Sequence, residues 1–268
     1  MHNPFAAPAP QDQADGLRRM FSASRVRFVP VVSNPNVAFG GVLLERLCAA
    51  FAELGLHTLV VDAGENSPAP DELAAVDLGA CVEQLSDKVS YLAARGLPMR
   101  FINSHGSAAE MLNAVIEAAP QADVVLLHAS AAELCRVVAR REVRPVLLAD
   151  DHPHSVTHAY AGMKLLTQRA GLMVYSLLLG ADEHSPRVER IAQQMTTCAD
   201  SFLGAVLRDW AAIDPIAPPD ERPSPELRHL ARELLMAAPP GAALDAPADA
   251  MPLRGLLRPW QDAGMAAN

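Results

Sequence analysis

Residues 26–62 read VRFVPVVSNPNVAFGGVLLERLCAAFAELGLHTLVVD. A short apolar run comes first, followed by a loop, a segment with helical periodicity and a second short apolar run. Continuous apolar runs of this length are typical of strands that are buried on both faces of a sheet. The stretch therefore predicts a strand, a loop, a helix and a parallel strand, joined by a right-handed crossover.

The loop at residues 33–41 stands where a P-loop protein would bind nucleotide phosphates. Phosphate binding needs glycines, so that backbone N–H groups can converge on the anion, and a lysine that reaches the outer phosphates. This loop contains no lysine, and its glycines, Gly40 and Gly41, stand at its end. Pro35 removes one donor and Asn36 fills space that a phosphate would need. We expect the fold of an ATPase whose loop lacks the groups that bind phosphate.

Composition limits the class of protein. The chain has 268 residues, half of them hydrophobic, and a net charge of −9, which predicts one substantial core and argues against a nucleic-acid groove. The four cysteines are scattered, which predicts buried free thiols in a reducing compartment. A secretory signal and an apolar run long enough to cross a membrane are both missing, so we expect a cytoplasmic protein.

Alternation of apolar runs and helical segments predicts an α/β domain over residues 26–237. The expected architecture is a doubly wound, mostly parallel sheet of about 7–8 strands with helices on both faces. The strands are predicted at 26–32, 57–62, 99–103, 123–128, 144–149, 171–179 and 203–207. The helices are predicted at 41–55, 71–85, 107–118, 130–140, 154–169, 185–200 and 225–237.

Three further segments are predicted from composition. Residues 1–25 are expected to be a flexible arm with a short helix, and residues 214–225 a proline-rich linker. Residues 238–268 are expected to be a flexible spacer with a short amphipathic tail.

The arm carries a recognisable motif. QDQADGLRRMF, at 11–21, resembles the DQAxxLR motif of FlhG (FleN) proteins, which are MinD/ParA-like ATPases that control flagellar number and placement. Three further segments also resemble that family, so the likeness spans about residues 11–236. They are the first strand–loop–helix–strand unit, the segment DDHPHSVTHAYAGMKLLTQRAG and the segment SPRVERIAQQMTTCADSFLGAVLRDWAAIDP. The likeness implies a P-loop NTPase fold. The matching positions of the motif are Asp12, Gln13, Ala14, Leu17 and Arg18.

The chain departs from that family at its nucleotide site. The family's two loop lysines would fall near Pro35 and Gly40, and its Mg²⁺-binding threonine would fall on Gly41. Its fourth-strand carboxylate would fall on His128, so that only Asp62 keeps an acidic family position. Because phosphoryl transfer depends on such charges, we assign no catalytic residue and expect a pseudo-ATPase.

The remaining candidates for a nucleotide site are few. We expect no cofactor, and ATP with Mg²⁺ only if the degenerate pocket still binds it. The candidate contacts are Asn34, Asn36, Gly40, Gly41 and Asp62.

The resemblance also implies a partner. In FlhG proteins the N-terminal helix docks on FlhF, an SRP-type GTPase, and stimulates GTP hydrolysis. Gln13 carries an amide that can orient an attacking water, and Arg18 can pair with a carboxylate or phosphate. This activity does not require an ATPase site in the same chain. The alternative is an ordinary N-terminal helix that packs on the domain.

The C-terminal segment carries apolar residues at helical spacing with arginines beside them, which is typical of a helix in a membrane interface. We expect a disordered tail, and a weak peripheral contact with the inner membrane is the alternative. The apolar positions are Leu253, Leu256, Leu257 and Trp260.

Two polar clusters suggest other chemistry. ADDHPHSVTH places His154 and His158 four residues apart, as two metal ligands on a helix would be. Pro153 begins a helix there, and we expect a polar loop without metal. Ser104 and His105 are adjacent, which does not establish a nucleophile and its base.

The leading hypothesis is therefore a degenerate FlhG-like regulator of flagellar assembly that presents its N-terminal helix to an FlhF-like GTPase. One alternative is an active ATPase with a rebuilt loop, for which only Lys88 and Lys164 could supply a lysine. Another is a scaffold for a flagellar transcription regulator or a basal-body component. Nucleic acid is not an expected partner.

Overall fold

Eight strands form one sheet in the computed structural model, which describes residues 26–138, 141–182 and 185–237. The strand order is β3-β4-β2-β5-β1-β6-β7-β8, and every neighbouring pair is parallel except β3 with β4. The predicted mostly parallel sheet is confirmed. The strands are β1 (Arg27–Val32), β2 (Thr58–Asp62), β3 (Glu83–Ser86), β4 (Val89–Ala93), β5 (Val124–Ala129), β6 (Val146–Asp150), β7 (Val174–Gly180) and β8 (Val206–Ile213).

Helices cover both faces of this sheet, as predicted. Helices α1 and α7 pack on one face, and α3 to α6 contribute buried residues to the core on the other face. The helices are α1 (Gly40–Glu53), α2 (Leu97–Arg100), α3 (Glu110–Ala118), α4 (Ala131–Val137), α5 (Pro153–Ala170), α6 (Pro186–Cys198) and α7 (Pro225–Ala237). In the described part of the chain, none of them is long and apolar enough to cross a membrane.

The prediction of a helix at 71–85 is wrong. Two short 3₁₀ turns, Glu72–Ala75 and Gly79–Cys81, replace it before β3 begins. The side chain of Asp71 accepts a hydrogen bond from the first turn, and that of Asp77 accepts one from the second. These aspartates compete with a continuous helix, and Gly79 weakens it further.

The predicted strand at 99–103 is also wrong, because β4 lies ten residues earlier, at Val89–Ala93. Thr58 to Asp62 pair in parallel with Val89 to Ala93, so the outer edge of β2 is already occupied. The chain instead forms the short helix α2, with Pro98 in its first turn. The last strand likewise begins three residues later than predicted.

The segment at 214–225 is fixed to the domain rather than a loose linker. Arg46 on α1 is only 7% exposed, and its guanidinium donates hydrogen bonds to four backbone carbonyls of this segment. The acceptors are the carbonyl oxygens of Ala217, Pro218, Pro219 and Glu221. The helix predicted at 225–237 follows directly and is confirmed.

The four cysteines are free, as predicted, although only Cys48 is fully buried. Burial, together with the nearby Glu45, raises the pKa of the Cys48 thiol to about 12. This thiol therefore stays protonated in the native protein.

The sheet order also fixes where a ligand would bind. From β1 the chain passes over β5 to reach β2, and from β5 it passes over β1 to reach β6. In open α/β sheets, the crevice for ligands lies beyond the carboxyl ends of the strands at such a reversal. The ends of β1, β2 and β5 therefore form the candidate site.

Candidate functional site

A pocket of about 230 Å³ lies at the carboxyl ends of β1, β2 and β5. It contains every position that the sequence assigned to a nucleotide site except Asn36. Its wall is made by the loop after β1, the loop after β2 and the side chain of His128. The lining residues are Ser33, Asn34, Pro35, Val37, Ala38, Gly40, Gly41, Leu44, Asp62, Gly64, Glu65, Asn66, Ser67, Pro68, His128 and Leu148.

Asp62 and His128 form a close pair in this wall. They are register partners on the adjacent strands β2 and β5. The Nδ1 atom of His128 lies 2.6 Å from Oδ1 of Asp62, and the two side chains are 14% and 17% exposed. In the sequence, this histidine stands at the position of the family's fourth-strand carboxylate. Sequence reasoning did not find its pairing with Asp62.

The Asp62 carboxylate has further donors. Its Oδ1 accepts a hydrogen bond from the Ser67 hydroxyl and one of 3.2 Å from the Gly64 N–H. Its Oδ2 accepts a hydrogen bond of 3.2 Å from the Tyr91 hydroxyl. Four groups therefore hold this carboxylate in one position.

These contacts favour the ionised form of Asp62. Burial by itself would raise the pKa of Asp62, but the hydrogen bonds from His128 and Ser67 and the adjacent imidazole outweigh it. The net result is a pKa below the usual range. Burial and the nearby Asp62 charge have the opposite effect on Tyr91 and raise the pKa of its phenol. Asp62 is thus an ionised carboxylate that faces the neutral phenol of Tyr91.

Gly64 allows the loop after β2 to approach the histidine. A Cβ atom at this position would lie 2.8 Å from Cε1 of His128 and 3.0 Å from Oγ of Ser67. No real Cβ contact is that short, so the site accepts only glycine without movement of the ring. The available sequence signal was a glycine two residues after Asp62, the acidic residue that ends β2.

Asn34 ties the loop after β1 to two neighbouring elements. Its amide nitrogen donates to the carbonyl of Leu148, at 2.8 Å, and to the carbonyl of Ser155, at 2.9 Å. Its amide oxygen accepts from the N–H of Asn36, at 3.1 Å. The side chain is buried. Asn34 thus has its amide committed to the protein itself, while Asn36 is exposed and stands outside the pocket lining.

The N-terminus of α1 opens into the pocket at Gly40 and Gly41. Phe39, at the cap position, provides no side-chain hydrogen bond, and the first turn contains no acidic residue. A Cβ atom at either glycine would meet nothing within 4 Å. The first N–H groups of a helix carry a partial positive charge, so this end of α1 favours an acceptor or an anion.

Both lysines lie away from the pocket. Lys88 is in the turn between β3 and β4, where its Nζ donates to the carbonyl of Gly55. Its own carbonyl accepts from the N–H of Thr58 at the start of β2, the end of the strand opposite Asp62. Lys164 is exposed on α5, on the face of the sheet opposite α1. Among the described residues, no lysine or arginine lines the pocket.

The histidines after β6 have structural contacts. His152 caps α5, because its side chain accepts from the N–H of His154, and the two rings stack with centroids 5.3 Å apart. Asp150 accepts from the N–H of His152. Within the described ranges, no group of three or more potential ligands is arranged to hold a metal ion.

The remaining predicted site residues lie outside the described residues. These are the five positions of the N-terminal motif and the four apolar positions of the C-terminal tail. They are Asp12, Gln13, Ala14, Leu17, Arg18, Leu253, Leu256, Leu257 and Trp260.

No protein-family model matches this chain, and no curated protein matches it in sequence. Solved structures do match. MinD of Aquifex aeolicus is 14% identical with a TM-score of 0.52, over 80% of this chain and 98% of that protein. Cobyrinic acid a,c-diamide synthase of Mycobacterium smegmatis, with a bound ATP analogue and magnesium, is 15% identical with a TM-score of 0.56, over 80% and 98%. A ParA family ATPase of Chlorobium tepidum is 14% identical with a TM-score of 0.50, over 78% and 98%.

At this level of identity, the likeness concerns the fold. The parallel sheet, its helices on both faces and these neighbours agree. The chain therefore has the α/β P-loop NTPase fold of MinD and ParA proteins.

Proposed function

We propose that this chain is a pseudo-ATPase that regulates flagellar assembly by presenting its N-terminal helix to an FlhF-like GTPase. One observation carries the proposal: a complete DQADGLR motif precedes a P-loop NTPase domain whose phosphate loop has no lysine. A motif that acts on another protein's nucleotide does not depend on the chain's own pocket.

The absence of ATP hydrolysis is argued from charge. Triphosphate binding needs cations or Mg²⁺ at the β and γ phosphates, and phosphoryl transfer is almost entirely positioning and electrostatic stabilisation. Of the described residues, the pocket offers the carboxylates of Asp62 and Glu65, and His128 is the basic side chain in its lining. Asp62 already accepts four hydrogen bonds from the protein. Its oxygens are therefore poorly placed to coordinate Mg²⁺ or to orient a water.

The position of the lysines bears on the rival proposal, an ATPase with a rebuilt loop. Such an enzyme would need a lysine from elsewhere in the chain, and the sequence has only Lys88 and Lys164. Lys88 is bound to the Gly55 carbonyl, and Lys164 is on the opposite face of the sheet. The rival therefore requires a large rearrangement or a second protein.

The ATP part of the proposal is tested by calorimetry with ATP and Mg²⁺. We expect no heat of binding from the wild-type chain. The double variant Gly40→Lys, Gly41→Thr restores the family's cation and hydroxyl at positions with open space around the Cβ atoms. We expect it to gain at least about tenfold in affinity for ATP. Micromolar binding of ATP by the wild type would refute this part.

The GTPase part is tested with the purified chain and an FlhF-like GTPase. We expect the chain to stimulate GTP hydrolysis and Gln13→Ala to lose about tenfold or more of that stimulation, because a positioned amide orients the attacking water. Gln11→Ala is the control, since it removes the same type of side chain just before the motif. Equal stimulation by wild type and Gln13→Ala would refute the proposal.

A further inference from the structure

His128 has one ring nitrogen available to a molecule in the pocket. Its Nδ1 is bonded to Asp62 at 2.6 Å, and its Cε1 edge lies against Gly64. The structure gives Nε2 no hydrogen-bond partner among the described residues, although His128 lines the pocket. An aspartate that fixes the Nδ1 proton also stabilises the imidazolium that forms when Nε2 takes up a proton.

Ser33 is a second side chain without a partner in the same pocket. It is 6% exposed and directly follows β1, and its N–H is bonded to the carbonyl of Ala129. Its hydroxyl has no partner in the described part of the chain, and the residue lines the pocket. The Oγ atom is not one of the fully buried side-chain atoms that lack a partner, so it reaches the space of the pocket and is free to donate to a polar ligand.

The third element is the N-terminus of α1. The N–H groups of Gly40 and Gly41 have no cap from Phe39, and both glycines line the pocket. These donors, the Ser33 hydroxyl and a protonated His128 would all favour an oxygen that carries negative charge.

The charge of the wall limits how much negative charge can enter. Asp62 and Glu65 are both acidic, and no lysine or arginine from the described ranges lines the pocket. A triphosphate would therefore be repelled, whereas one negative charge can be balanced by one proton on His128.

We propose that this pocket binds a single carboxylate group, held by Nε2 of His128, the Ser33 hydroxyl and the N-terminus of α1. The proposal rests on the part of the proposed function that keeps ATP out of the pocket, and it is independent of the N-terminal motif. The ligand class is a small monocarboxylate, or the carboxylate of a larger molecule whose remainder extends into solvent.

Binding is coupled to protonation. The bound state needs a proton on Nε2 of His128, because a carboxylate can only accept a hydrogen bond, so we expect affinity to fall as pH rises. The titratable groups that face this ring are Asp62 on β2, Tyr91 on β4, which bonds Asp62, and Glu65 on the loop after β2. Tyr91 is neutral at these pH values because its pKa is raised.

The test follows the histidine Cε1–H signals of the full chain by NMR during titration with sodium acetate, with sodium chloride held at matched ionic strength. Acetate has few atoms, so we expect a dissociation constant of the order of millimolar. Acetamide, which has the same shape without the charge, and inorganic triphosphate are the comparison probes. We expect saturable shifts of the His128 signal with acetate only, and tighter binding at about pH 6 than at about pH 8.

Two variants identify the site. We expect His128→Gln, whose amide can still donate to Asp62, and Ser33→Ala each to weaken acetate binding, the first by about tenfold or more. His105→Gln, the same change at an exposed histidine, should bind as wild type does. If His128→Gln fails to fold, acetate binding by Ser33→Ala and the comparison with acetamide and triphosphate still test the proposed site.

Three results would overturn the inference: no saturation with acetate, equal binding of acetamide, or tighter binding of triphosphate. The last would also refute the ATP part of the proposed function. If acetate did not bind and triphosphate did not bind either, the carboxylate site would be refuted and the ATP part of the proposed function would not.

Discussion

Two loops at the same edge of the sheet are held in place by different side chains, one by a neutral amide and the other by a charged guanidinium. The loop after β1, residues 33–39, takes its shape from the neutral amide of Asn34. The segment after β8, residues 214–224, takes its shape from the buried guanidinium of Arg46. Both loops flank α1. The chain therefore places a buried cation on α1, but this cation binds backbone carbonyls and not an anion.

The difference separates stability from ligand binding. A guanidinium that donates to four carbonyls has little capacity left for a phosphate. The pocket at the N-terminus of α1, by contrast, keeps open space and unpaired donors, and the described residues give it no fixed positive charge. The buried guanidinium near the site therefore stabilises the fold and does not bind a ligand.

The largest effect is expected at Arg46. Arg46→Ala should lower the free energy of unfolding by about 2–4 kcal/mol, because four carbonyls lose a charged donor and the aliphatic stem is lost from the core. Urea denaturation measures it. Arg46→Met keeps most of the stem and should recover the packing part only. A loss below about 1 kcal/mol in Arg46→Ala would show that the segment after β8 is held by other contacts.

The corresponding change in the other loop is Asn34→Ala. It leaves the carbonyls of Leu148 and Ser155 without their donor in a buried place, so we expect a loss of about 2–3 kcal/mol in urea denaturation. Asn36→Ala is the control, since that side chain is exposed, and it should change stability by less than about 0.5 kcal/mol. If the two variants lowered the free energy of unfolding equally, Asn34 would not be the residue that fixes the shape of this loop.

Gly64→Ala tests the close approach between the loop after β2 and His128. The added methyl would lie 2.8 Å from Cε1 of the ring, so we expect a cost of about 1–3 kcal/mol and a shifted His128 NMR signal. Gly40→Ala, where a Cβ meets no atom within 4 Å, is the matched change and should be nearly neutral. An unshifted His128 signal in Gly64→Ala would contradict the geometry.

The smallest effect is expected from Asp62→Asn, and it depends on pH. The pKa of Asp62 is lowered in the folded protein, so its stabilising contribution is complete above the ordinary aspartate pKa, about 3.9, and is lost as pH falls through the lowered value. At neutral pH we expect the variant to lose about 1–2 kcal/mol. Urea denaturation at several pH values should show this difference shrinking below about pH 4. A difference that does not vary with pH would mean that the lowered pKa is wrong.

Much of the fold could be predicted because its signals are local. β1, α1, β2, β5, β6 and β7 follow from apolar runs and helical periodicity, and their predicted bounds are close to those observed. The two elements that were predicted wrongly, the helix at 71–85 and the strand at 99–103, fall between β2 and α3. There, capping by Asp71 and Asp77 competes with helix formation, and only one of two apolar segments can pair with β2. Competition of that kind is decided by partners that lie far away in the chain.

The candidate site was predictable only in part. The sequence located the loop after β1, Asp62 and the replacement of an acidic position by His128. It did not reveal that Asn34 would bind two carbonyls more than a hundred residues later, nor that Ser33 would be left without a partner. Side-chain hydrogen bonds of this kind depend on distances between elements, which no periodicity encodes.

The sequence by itself determined the strand–loop–helix–strand unit and the lack of lysine in its loop, because both are properties of consecutive residues. The tertiary structure alone decided that Asp62 and His128, 66 positions apart, would become partners. The reason is the order of the strands. β2 and β5 are neighbours only because the chain crosses over between them, and their register then brings a carboxylate and an imidazole to the same level.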